Sequence, residues 1–119
     1  MIRNMNLIRL LLLRSEGDEE AEKACESFTV EERAYHVQLL LDAGLVEGMA
    51  IRGASGEFTG AAISRLTWTG HDFLDASRDD KTWNKFLGIM KDKGLSLTFD
   101  LTLAWLKKEL ATKAGLTLD

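Results

Sequence analysis

The sequence predicts an α+β fold of about five helices and one two-stranded hairpin, with three of the helices ahead of the hairpin. Three observations carry that expectation. Apolar residues recur at helical spacing from Met5 to Leu41. Beyond Gly44 the pattern shortens into two apolar runs separated by the glycine-rich stretch "RGASGEFTG". After Thr69 helical spacing returns and runs on to Gly115.

The first helix is expected over Met5 to Arg14, where Met5, Ile8, Leu11 and Leu12 form a stripe with Arg9 and Arg14 off it, until "SEGDEE" interrupts the pattern. Asp18 can cap a short second helix, because Glu19, Glu20 and Glu22 suit the positive end of its dipole. Ala21, Ala24, Cys25 and Phe28 give that helix a thin apolar side. The third helix carries the fullest signals. In "TVEE", Thr29 is the N-cap and Glu32, three residues on, completes a reciprocal capping box, and Gly44 supplies a left-handed stop. Its expected core stripe is Val30, Ala34, Val37 and Leu41 flanked by Leu40, which leaves Glu31, Glu32, Tyr35, Leu39 and Asp42 on the other side.

"LVEGMAI" and "AAISRLTW" then read as two short strands. Thr69 is expected to cap a helix through Phe73, Leu74 and Ala76, and "SRDDKTW" restarts one carrying Trp83, Phe86, Leu87 and Met90 before Gly94. A last helix from about Thr98 places Phe99, Leu103, Leu106 and Leu110 along one side, ends at Gly115, and leaves Leu101 and Trp105 off that stripe. No repeat, low-complexity tract or linker interrupts the chain, and 119 residues at 45% hydrophobic content fit one domain over 1–119. Residues 1–68 supply the first helices and the hairpin, and the helices of 69–119 are expected to pack on them.

Charge narrows the partners. The formal net charge is -4, the wrong sign for bulk attraction to nucleic acid. Between Glu16 and Glu32 eight acids face one base, Lys23, a local net of -7 that leaves +3 for the remainder. From Lys81 onward seven lysines face four acids, so the C-terminal part is mildly basic. A lone cysteine, Cys25, cannot form an internal disulfide, and no arginine-flanked apolar region with a small-residue cleavage site is evident, which points to the cytoplasm. The apolar run Leu10 to Leu13 is far too short to span a bilayer, so no membrane role is expected.

The order helix, helix, capped helix, hairpin resembles a winged helix-turn-helix domain, with "LLLDAGLVEG" at the joint between the third helix and the wing. Four segments, "MNLIRLLL", "EERAYHVQLLLDAGLVEG", "RLTWTGHDFLDASRDDKTWNK" and "KGLSLTFDLTLAWLKK", give the chain a more specific likeness. Through them it resembles the bacterial and phage family called domain of unknown function 2513. That resemblance implies a winged-helix-like fold and a bacterial or mobile-element origin, and it implies no mechanism. The segment "DEEAEKACES" matches no motif of the family.

A winged helix that reads DNA would lay its third helix in the major groove and hold phosphates with wing cations. Here that alternative rests on Arg33, Gln38, Arg52 and Arg65, against the acids Glu31, Glu32, Asp42 and Glu57, so DNA binding is disfavoured. The leading expectation is a protein-contact face made of Glu31, Glu32, Tyr35, Leu39 and Asp42. Tyr35 and Leu39 are expected to be covered by the C-terminal helices or by a second copy, which makes a homodimer one form of the partner. Signals for catalysis and cofactors are weak, and no catalytic, metal or cofactor residue is assigned. Glu32 with His36, and His71 with Asp72 and Asp75, each offer at most part of a metal set, and satisfied helix-surface or core-edge histidines explain them better. The run Asp72, Asp75, Asp79 and Asp80 fits helix capping, and the glutamates around Cys25 should raise its pKa. "GASGEFTG" lacks the lysine and helix of a phosphate loop and reads as a turn. Trp68, Trp83 and Trp105 are expected as apolar anchors, Trp68 sealing the wing against the next helix.

Overall fold

The computed structural model describes residues 1–93 and 98–115. Among these lie six helices and one antiparallel hairpin, in the order α1 (Met5–Ser15), α2 (Glu19–Cys25), α3 (Val30–Asp42), β1 (Val46–Arg52), β2 (Phe58–Leu66), α4 (Trp68–Ser77), α5 (Asp80–Lys93) and α6 (Phe99–Lys113). The fold is α+β, and three helices followed by a hairpin form a winged-helix-like arrangement. Arg78 and Asp79 separate α4 from α5 within the "SRDDKTW" segment where a restart is expected. The predicted stop at Gly94 lies outside the described residues.

The chain divides into two compact units, Met1–Leu74 and the segment from Asp75 onward, with the boundary inside α4. In the first unit α1 presents Leu7, Ile8, Leu11 and Leu12 to the interior. Arg9, expected off the stripe, is also buried. Asn4 caps α1, its Oδ1 accepting the Leu7 N–H, and Asp18 caps α2 by accepting from Ala21 at 2.9 Å. The thin face of α2 buries only Ala21 and Cys25.

The capping box of α3 is present in both directions. Thr29 Oγ1 accepts the Glu32 N–H and Glu32 Oε1 accepts the Thr29 N–H, each at 3.0 Å. At the other end Leu45 N–H donates to Leu40 O and Gly44 N–H donates to Leu41 O, the paired bonds of a Schellman stop, with Gly44 at φ +73°. Ala34, Val37 and Leu40 of the expected α3 stripe are buried, but His36 joins them and Val30 does not. Val30, at the first helical position, is 49% exposed, while α3 packs against α1 and both strands of the hairpin. Leu41 is only half-buried.

β1 runs one residue later than expected at the same length, β2 is longer and starts earlier, and the connection is shorter, residues 53–57, closed by Gly53 N–H donating to Glu57 O at 2.7 Å. Phe58 and Thr59 of the predicted tip belong to β2 instead, Phe58 standing opposite Arg52. A bulge between Glu47 and Gly48 breaks the register. There Gly48 lies so close to Ala62 O that a Cβ would overlap it, so the bulge requires glycine.

Thr67, not Thr69, opens α4: its Oγ1 accepts the Gly70 N–H and its carbonyl accepts the His71 N–H. In the second unit Asp79 caps α5 by accepting from both the N–H and the hydroxyl of Thr82. Thr98 caps α6, and Gly115 ends it at φ +74°. The buried side chains of α6 are Thr102, Leu106 and Ala111, while Leu110 and Leu101 are exposed. The stripe is rotated from the predicted one because Trp105 turns toward α5, its ring 5.8 Å from that of Phe86. Trp83 is buried as expected, 5.1 Å from the same ring.

Candidate functional site

The surface that sequence reasoning singles out is the outward side of α3 together with the hairpin. Glu31 and Asp42 lie toward solvent on it, and Glu32 is committed to the capping box. The hydrogen bonds of that box hold the Glu32 carboxyl below its usual range. Tyr35 is half-buried, and its aromatic neighbour comes from the hairpin. The ring of Phe58, at the start of β2, stands 5.9 Å from it, edge to face. Leu39 is likewise half-buried. The five residues of the expected protein-contact face therefore share one helix, but Tyr35 is spent largely on holding the hairpin.

The four residues of the DNA alternative are each engaged inside the chain. Arg33 Nη1 donates to Cys25 O at 3.0 Å and to Phe28 O at 2.7 Å, so its guanidinium closes the C-terminal end of α2. Gln38 Nε2 donates to Asp42 Oδ1 at 2.8 Å. Arg52 lies over the Phe58 ring, 4.1 Å from its centre, and donates to Gly56 O. Arg65 pairs with Glu47, its partner across the two strands, through two bonds of 2.7 Å. That pairing lowers the Glu47 pKa and raises that of Arg65. Sequence weighs Glu57 as the acid of the wing, yet the cross-strand register gives the role to Glu47.

The histidines and the cysteine also resolve. His36 is buried, with Nε2 accepting the Asn4 N–H at 2.8 Å and Nδ1 2.7 Å from Glu32 O. Nε2 is thus the acceptor, and Nδ1 carries the ring proton. Burial pushes its pKa down, against a smaller opposing pull from Glu32. The Glu32 carboxylate is turned to Thr29, so the i,i+4 pair is not assembled as ligands. His71 meets Glu16, at 3.3 Å, instead of making a set with Asp72 and Asp75. Asp75 pairs with Arg78. Among the described residues no group of three or more His, Cys, Asp or Glu stands close enough to hold a metal ion. The Cys25 thiol is raised as expected, but chiefly by burial, with Arg14 and Arg33 opposing and Glu22 adding a little.

The hairpin and its exit carry exposed apolar side chains outside the expected contact face. Met49 is 59% exposed, Ile51 51% and Trp68 83%. The anchor role expected for Trp68 fails because Thr67 caps α4, which makes Trp68 its first residue and leaves the ring in solvent. A signal existed for the other two. Strand alternation puts Met49 and Ile51 on one face with Glu47, a charged residue that a core face would not carry.

Helices, hairpin and engaged side chains together define a small winged-helix-like protein whose third helix presents acids outward. The family described as "Hypothetical protein (DUF2513)" matches residues 2–96, and the chain belongs to it. A Haemophilus influenzae protein described as "Uncharacterized protein" is 38% identical over 105 residues, covering 84% of this chain and 87% of that protein. No solved structure matches the chain.

Proposed function

We propose that this protein is a non-enzymatic regulatory or accessory protein of a bacterium or its phage, acting in the cytoplasm by binding another protein. The supporting observation is the state of the wing. Its arginines are occupied by Glu47, Phe58 and Gly56, while the apolar side chains of Met49, Ile51 and Trp68 stand in solvent. Freeing Arg33 for phosphate would uncap α2, and the acids Glu31 and Asp42 would face the backbone of the duplex. No helix among the described residues is long and apolar enough to cross a membrane.

The competing reading is a transcriptional regulator that uses the winged arrangement on DNA. Fluorescence anisotropy with random-sequence duplex at low salt separates the two. The protein-contact reading expects no binding at micromolar protein, whereas micromolar binding that weakens steeply with salt overturns it. On the positive side, a partner retained from a cell extract should be lost with Met49→Ser/Ile51→Ser or Trp68→Ala. Light scattering after size exclusion shows whether that partner is a second copy.

A further inference from the structure

We propose that the contact between Asn4 and His36 is a proton-operated latch, which holds the N-terminal end of α1 against α3 and releases it in acid. Both ring nitrogens of His36 are used. Nε2 accepts the backbone N–H of Asn4 at 2.8 Å, and Nδ1–H donates to Glu32 O at 2.7 Å. An imidazolium carries N–H on both nitrogens. A proton added at Nε2 therefore points at the Asn4 N–H, donor against donor, at a residue only 2% exposed. The contact has to open for the charge to reach water.

Opening it disturbs more than one bond, because Asn4 is also the N-cap of α1. Its Oδ1 accepts from Leu7 at 3.2 Å and its carbonyl from Ile8 at 3.1 Å. The residues before it offer little burial, Ile2 being 90% exposed and Met1 57%. The rest of α1 is anchored independently by Leu7, Leu11 and Leu12, so release is confined to the first turn and the residues ahead of it.

The charge that acts on the ring is that of Glu32 on α3, which favours the proton, and the Tyr35 ring stands at right angles to it with the ring centres 5.2 Å apart. The charged groups of the other elements packed on α3 are Arg3, Arg9 and Arg14 on and before α1, Glu47 and Arg52 on β1, and Arg65 on β2. Since burial lowers the closed-state pKa, the proton binds the open form better. The latch is closed above the ordinary imidazole value of about 6.5 and loosens as pH falls below it, by about tenfold per unit until the closed-state pKa is reached.

Nuclear magnetic resonance between pH 8 and 5 tests this on the intact chain. Ring nitrogen shifts of His36 report its protonation, and amide exchange, corrected for intrinsic pH dependence, reports opening. The Asn4 and Leu7 amides should lose protection about tenfold per pH unit below about 6.5, while Leu12 and Leu40 keep theirs. His71→Gln should leave this unchanged, and His36→Gln should abolish the pH dependence. Should His36→Gln fail to fold, His71→Gln alone suffices, because one histidine then titrates and its midpoint must coincide with the loss of Asn4 protection. Constant Asn4 protection through the titration of His36 overturns the latch. So does simultaneous loss at Leu12 and Leu40, or an unchanged pH dependence in His36→Gln.

Discussion

The hydroxyl of Thr67 donates to the carbonyl of Gly44 at 2.6 Å and accepts the Gly70 N–H at 3.1 Å. One side chain thus ties the turn that ends α3 to the first turn of α4, twenty-three residues later in the chain. Its own N–H adds a bond to Leu45 O at 2.9 Å. Thr67→Val keeps the shape and the N–H but removes both hydroxyl bonds. Chemical denaturation should show a loss of about 1–3 kcal/mol, with Thr67→Ser recovering most of it.

Gly70 sits at the same joint for a steric reason. A Cβ there would overlap the carbonyl oxygen of Leu45, and the neighbour is backbone that cannot swing aside. Gly88, inside α5, meets nothing within 4 Å. Alanine is the better helix former by about 1 kcal/mol, so Gly88→Ala should stabilise by up to about that amount. Gly70→Ala should destabilise by about 1–2 kcal/mol despite the same propensity gain. Equal shifts in the two denaturation midpoints would sink the close-approach argument.

The tryptophans divide by environment. Trp83 is 1% exposed and Trp68 83%. Trp83→Ala should cost about 3–5 kcal/mol by thermal or urea unfolding. Trp68→Ala should stay within about 0.5 kcal/mol and change only partner binding. A large stability loss at Trp68 would mean that its ring is covered.

Asp79 gives a pH signature of its own. Bonds from Lys113 and Thr82 hold its carboxyl down at about 2, from an ordinary 3.8. The folded-state pKa is the lower one, so its stabilisation is complete above 3.8 and is lost as pH falls through about 2. Asp79→Asn keeps an acceptor for the Thr82 N–H but loses the charge. Its stability deficit against the wild type, measured by urea at pH 7 and pH 2, should shrink at the lower pH. A deficit that does not change with pH would assign the effect to the cap alone.

Local signals account for most of what is legible in the amino-acid order. Asp18, Thr29 with Glu32, and Thr98 cap their helices where the chain pattern places them, because a cap joins residues three apart and needs nothing from elsewhere. Gly44 and Gly115 stop theirs for the same reason, since a left-handed turn is a property of one residue. The hairpin follows from glycine and alternation, though its tip is narrower than the glycine-rich stretch suggests, because Phe58 carries no local mark of pairing with Arg52.

Which face of each element is inside is decided at a distance. Strict periodicity puts Val30 in the core of α3 and leaves His36 at its edge. The structure reverses the pair because the Asn4 N–H, thirty-two residues away, satisfies the imidazole and makes its burial tolerable. Arg33 becomes a cap through the arrival of the α2 carbonyls, Tyr35 a hairpin contact through Phe58, and Arg65 the partner of Glu47 through register. The order of helices and hairpin and the acidic character of α3 are readable from the amino-acid order, since both are written in neighbouring residues. Which polar groups are paired and which apolar ones are left in water depends on the folded chain, because partners are chosen by proximity in space.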